Sequence, residues 1–74
     1  MKGLSKYDGE SVKLIDKDGD SFVGEVCAYF EPDDNPPDFE EEAIALESPI
    51  KNGKEKYSNP VCFNANEIVS IEIT

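Results

Sequence analysis

The sequence contains no histidine and no arginine. Without histidine it lacks the side chain that most often acts as general acid or base near neutral pH, and the usual activator of a serine or cysteine nucleophile. A zinc site would have to rest on carboxylates and two cysteines, Cys27 and Cys62, which falls short of a closed tetrahedral set. Lack of arginine removes the planar fork that grips phosphate and base edges bidentately. The seven basic residues are all lysine and stand against 17 acids, for a net charge of −10. Such a balance argues against general affinity for nucleic-acid backbones or anionic membranes, and its plainest role is to keep the chain in solution. Phosphate-loop motifs are missing too. No enzymatic activity and no cofactor are therefore expected, and no small-molecule substrate is evident.

Long apolar runs are also missing. No segment is long enough to span a bilayer, and the start, Met1 to Tyr7, lacks the apolar stretch of a secretory signal. A cytoplasmic setting follows as the expectation, with Cys27 and Cys62 as free, buried or half-buried thiols. The 74 residues suit one domain, 1–74. A domain this short buries only about 60% of the surface of its unfolded chain, so assembly with a copy or a partner is a common source of extra stability. Hydrophobic residues make up only 38%, but they cluster in short runs, which marks a folded domain.

What is present is a series of short strands. Leu4 and Tyr7 are spaced for one helical turn, which Asp8-Gly9 stops. Ser11 to Ile15 alternates as a strand, and Asp16 to Asp20 is a hairpin turn whose Asp18-Gly19 supplies the positive φ such turns need. Ser21 to Phe30 is the longest strand, with Phe22, Gly24, Val26, Ala28 and Phe30 on the inner face and Val23, Glu25, Cys27 and Tyr29 on the outer. Small residues among large ones allow a sharply bent strand in a tapering interior. Glu31 to Glu42 carries seven acids and three prolines and reads as a loop. Glu42 to Glu47 alternates again with Ile44 and Leu46 inward, Ser48 to Pro60 reads as a second loop, and Val61 to Phe63 is a short strand. Asn64 to Glu67 then turns into a last strand, Ile68 to Ile73. The expected fold is all-β: five short, strongly bent strands in a closed or nearly closed barrel, with a short N-terminal helical turn.

The order and spacing of these parts resemble the Sm/Lsm family of SH3-like barrels. The family's first motif runs from an Asp-Gly turn through an aromatic, a glycine and an apolar residue to Phe-Asp-x-x-Met-Asn; here stand Asp18-Gly19, Phe22, Gly24, Val26 and Phe30-Glu31-Pro32-Asp33-Asp34-Asn35. The second motif, apolar-Arg-Gly-Asn-x-Ile, is similar to Phe63-Asn64-Ala65-Asn66-Glu67-Ile68. The resemblance implies a five-stranded barrel able to form rings, and an RNA base pocket built from Glu31, Asn35, Asn64 and Asn66. Three departures bear on that pocket. Asn64 replaces the arginine, Ala65 the glycine and Asp34 the apolar residue. Pro36-Pro37 also follow Asn35 where the family continues into a strand.

Other clusters have plainer readings. Asp16, Asp18 and Asp20 are calcium-loop-like, but Gly19 falls at the fourth position and Cys27 where a bidentate glutamate belongs, so the segment reads as a turn. The acidic loop reads as solvated charge. Its functional alternative is a contact surface for a basic protein, made by Tyr29, Asp33, Asp34, Phe39 and Glu41, with the aromatics as anchors. Lys51, Lys54 and Lys56 beside Tyr57 form the sole basic cluster and read as a solvated loop. The function expected from all this is a non-catalytic protein-interaction or assembly module that contacts a protein partner or itself. The alternative is a divergent RNA-binding ring that reads bases through asparagine.

Overall fold

A computed structural model of the chain describes residues 3–31 and 42–74. These form an antiparallel sheet of six strands: β1 (Ser11–Asp16), β2 (Ser21–Phe30), β3 (Ala43–Lys51), β4 (Glu55–Lys56), β5 (Val61–Asn64) and β6 (Ile68–Ile73). Two 3-10 turns, Leu4–Tyr7 and Ala65–Glu67, flank β1 and join β5 to β6. The expected N-terminal turn and all-β class are present.

Strand β1 lies between β2 and β6, and β3 pairs with β2 on one side. On its other side β3 is shared: Ala43–Leu46 pair with β5, while Ile50 and Lys51 pair with β4. The strongly bent sheet wraps around one core, in which Leu4, Val12, Leu14, Val26, Ile44 and Leu46 are fully enclosed. Phe22 and Phe63 meet edge to face there, with ring centres 4.9 Å apart.

Three irregularities bend the sheet. Asp16 pairs with Ile68 but Ile15 pairs with Ser70, so Val69 bulges out of β6. Val26 pairs with Leu46 and Ala28 with Ala45, so Cys27 is the extra residue of β2. Beyond that bulge the facing of β2 reverses. Tyr29 packs against the core, and Phe30 is 42% exposed, opposite to the simple alternation expected. The third lies in β3, where Val23 pairs with Ile50 but Glu25 with Glu47. Ser48 takes a φ of 45° there, Pro49 is buried, and Gly24 lies beneath them.

The segment after Glu47 also differs from expectation. Ser48 to Pro60 is not one loop, because β3 continues through Pro49 and returns as β4. Proline is tolerated at this point because a bulge needs no ladder N–H there. The reversal uses Asn52 and Gly53, both at positive φ, with the Lys54 N–H donating to the Lys51 carbonyl at 3.0 Å. The first hairpin closes as expected around Gly19, and the Asp16 carboxylate accepts from the N–H groups of Asp18 and Asp20, both at 3.0 Å. That carboxylate is spent on the turn, as an Asx residue's usually is.

Candidate functional site

The described parts of the two stretches that carry the family resemblance, Phe30-Glu31 and Phe63 to Ile68, lie at one end of the barrel. Phe30 pairs with Ala43, and Ala43 pairs with Asn64, so the end of β2 and the end of β5 lie two strands apart in one row. Glu31, just past Phe30, is exposed; Asn64 is half-buried and Asn66 exposed. The Asn64 side-chain amide donates to Glu67 Oε1 at 3.0 Å. Asn35, the fourth member of the expected base pocket, lies outside the described residues.

The organising group at this end is one that the sequence did not single out, the Glu42 carboxylate. It accepts from the Gly3 N–H at 2.8 Å, from the Leu4 N–H at 3.3 Å and from the Tyr29 hydroxyl at 2.6 Å. Its backbone carbonyl accepts from the Ala65 N–H at 2.8 Å. One residue thus ties the N-terminal turn to the end of β2 and to the turn after β5. The Tyr29 bond, helped by the Leu4 and Gly3 N–H groups, holds the Glu42 carboxyl below the usual carboxylate range against the opposing cost of desolvation. The same bond, with desolvation and the charges of Glu42 and Glu31 behind it, raises the Tyr29 phenol to about 12. Tyr29 is therefore a latch with its ring against the core. Of its expected companions in a protein contact, Asp33, Asp34, Phe39 and Glu41 lie outside the described residues.

At the opposite end Asn52 bridges the two hairpins. Its side-chain carbonyl accepts from the Ser21 N–H at 2.9 Å, and its amide donates to Asp20 Oδ1 at 3.0 Å. Lys51 Nζ lies 3.6 Å from the other Asp20 oxygen. The Asn52 bond, then Lys51, keeps the Asp20 carboxyl low, and the Asp20 charge raises Lys51 in return. The expected basic cluster is thereby split: Lys51 is paired, and the Tyr57 ring packs against Phe22 at 6.3 Å instead of standing free. A shallow open groove beside it is lined by Ser48, Lys56, Tyr57 and Ser58.

Both cysteines are free, and both are exposed where half-buried thiols were expected. They flank Ala45 on the outer side of the sheet, where Cys62 is its strand partner and the Cys27 thiol reaches the Ala45 carbonyl at 3.5 Å. Among the described residues no group of three or more acids and cysteines is placed to hold a metal ion, and no helix is long and apolar enough to cross a membrane.

Among the described residues the most exposed large apolar side chains lie on an edge strand. Val69 is 63% and Ile73 55% exposed, both on β6. Among the described residues β6 pairs only with β1, and β5 only with β3, so each presents a free main-chain edge. Neither strand carries a lysine or a proline, the residues that commonly blunt such edges. No protein-family model matches the chain, and no curated protein matches it.

Proposed function

We propose that the chain is an Sm-like barrel that works as a non-catalytic protein-interaction or assembly module. The observation that carries this reading is the pair of strand edges, β5 and β6, left unpaired among the described residues, with exposed Val69 and Ile73 on the second. An unpaired edge offers N–H and C=O groups to an incoming strand, and alternate side chains then select it. The net charge of −10 favours partners that are basic or that meet the barrel along its least charged strands. Support for the Sm-like assignment comes from strand order and from Gly24 falling at the bend of β2 where the family's first motif has its glycine.

The test is capture from a lysate of the source cell by the tagged chain, compared with a chain whose β6 edge is charged by Val69→Lys and Ile73→Lys. Specific partners retained by the first and lost by the second are the expected result. Equal capture by both, or none above background, would count against the module.

One observation favours a second reading, an RNA-binding ring: the row Phe30, Ala43, Asn64 brings Glu31 and Asn64 to one end. Against it, the Asn64 amide is engaged by Glu67, and phosphate contacts would fall to a few lysines. This reading expects binding of short uridine- or adenine-rich strands at low salt, weakening as salt rises. Fluorescence anisotropy that stays flat at low ionic strength removes it.

A further inference from the structure

Independently of the module reading, we propose that Asn52 is a site of spontaneous modification, where the Gly53 main-chain nitrogen closes on the Asn52 side chain and turns the bridge between the two hairpins into a carboxylate. Asparagine precedes glycine only here in the sequence, and both residues are exposed. Glycine leaves its nitrogen unshielded by a side chain, and asparagine is among the thermolabile residues. The Gly53 nitrogen, once solvent hydroxide has taken its proton, attacks Cγ of Asn52. A Cγ–N bond forms and the Cγ–Nδ2 bond breaks, so that the side-chain nitrogen takes a proton from water and leaves as ammonia. Water then opens the resulting imide ring at either carbonyl. The products are ammonia and an aspartate or isoaspartate, and nothing is oxidised or reduced.

The fold holds the reacting amide at both ends. Asn52 Oδ1 accepts from the Ser21 N–H at 2.9 Å and from the Ser21 hydroxyl at 3.4 Å, and Nδ2 donates to Asp20 Oδ1 at 3.0 Å. The Asn52 N–H donates in turn to the Ser21 carbonyl at 2.8 Å. To bring Cγ within bonding distance of the next nitrogen along its own chain, the side chain must let go of Asp20 and Ser21 on the other hairpin. The reaction therefore runs through states in which the β3–β4 turn has come away from β2. Such opening costs little at this end, because β4 has two residues and, among the described residues, pairs only with β3. The consequence follows from the same contacts. A carboxylate at position 52 has no hydrogen to donate to Asp20, and it sets two negative charges where an amide met a carboxylate. Isoaspartate also adds a methylene to the main chain, at a residue whose φ is 53° in a turn closed by the Lys54 N–H and the Lys51 carbonyl at 3.0 Å. Either product uncouples the two hairpins and makes a chain that already carries −10 more negative.

The experiment ages the full chain with reductant at mildly alkaline pH, folded and in concentrated urea, and follows the peptide that contains Asn52 by mass spectrometry for the gain of one mass unit. The unfolded chain should convert at Asn52 well ahead of Asn64 and Asn66, and the folded chain at least about tenfold more slowly. Asp20→Ala, which frees Nδ2, should bring the folded rate back toward the unfolded one. Asn52→Asp should lower the folded-to-unfolded ratio in urea melts by roughly fivefold. Asp20→Asn combined with Asn52→Asp returns an amide opposite a carboxylate and should recover most of that loss. No conversion at Asn52 in urea overturns the site. Equal rates in the folded and unfolded chain, or an unchanged folded rate in Asp20→Ala, overturn the shielding. Asn52→Asp as stable as wild type, or a double variant no more stable than the single one, overturns the uncoupling. The comparison of folded with unfolded rates uses wild type alone, so it decides even where a variant fails to fold.

Discussion

Gly24 is where sequence, bend and stability meet most directly, and Gly24→Ala is the most informative single change. A Cβ built there would lie 3.2 Å from Pro49 Cα, 3.3 Å from the Glu47 carbonyl oxygen and 3.4 Å from Pro49 Cβ. Two of those three atoms are backbone, and they belong to the bulged part of β3 that the proline stiffens. No rotamer change can make room, so β3 must move away from β2. Overpacking of this kind costs about 1–3 kcal/mol. Gly24 has no left-handed backbone angle, so alanine also recovers about 0.4–1 kcal/mol by narrowing the unfolded ensemble. The centres of the two ranges leave a net loss of roughly 1 kcal/mol, or about 4–8 °C in Tm for a domain of this size. Gly24→Val should lose more. The neighbouring Glu25→Ala is the control: Glu25 lies exposed and directly opposite Glu47, so its removal relieves a like-charge pair and should be neutral or slightly stabilising. Urea and thermal unfolding followed by far-ultraviolet circular dichroism read all three. A Gly24→Ala protein as stable as wild type would refute the claim that close approach of β3 fixes this glycine.

Three further outcomes are expected. The Glu42 carboxyl titrates below its ordinary value of 4.5, so the stability it supplies is fully present above that pH and is lost as pH falls through the lower folded value. Thermal melts between pH 6 and 3 should show this acid-side loss, and Glu42→Gln should remove that part of it. Tyr29 behaves in the opposite sense: its contribution is present below the ordinary phenol range and is lost as pH rises through about 12. Absorbance titration should show one tyrosine ionising late, and Tyr29→Phe should abolish that step. Leu4 lies outside the sheet yet is fully buried, so Leu4→Ala should cost about 2–5 kcal/mol in urea unfolding, as for any core leucine. A loss under 1 kcal/mol would mean that the N-terminal turn is peripheral.

The hairpin at Gly19, the extent of β2 and the turn between β5 and β6 were legible in the sequence because each is specified locally, by turn residues flanked by alternating apolar ones. The β3–β4 hairpin was legible in principle. Asn52-Gly53 is as strong a turn signal as Asp18-Gly19, but Ser48 to Pro60 reads as a single loop, and only the bulge opposite Gly24 shows how Pro49 fits within the strand. The reversal of facing at Cys27 has no local signature, since a bulge depends on what the neighbouring strand does. The Glu42 latch was invisible for a related reason: it joins groups 39 and 13 positions apart, and nothing in a run of acids marks which one will be drawn inward. The contact surface expected around Asp33, Phe39 and Glu41 lies outside the described residues. The edge at Val69 and Ile73 came into view only once β6 was seen to have a single neighbour.

Strand β1 is sandwiched between its nearest neighbour in sequence and its most distant one. Beyond the end of β6, Thr74 is bound to Ser11 across 63 positions, through its N–H to the Ser11 carbonyl at 2.9 Å and through its hydroxyl to the Ser11 hydroxyl. During synthesis the β1–β2 hairpin emerges early but cannot complete its sheet, and the flank of β1 stays open until β6 has been made. The Glu42 carboxylate likewise reaches the waiting N-terminal turn only after the acidic loop has emerged. Completion of the sheet on this side therefore comes late, when β6 joins β1. In the interval before it, the open side of β1 is the surface that a nascent chain of this protein must keep from pairing with the wrong strand.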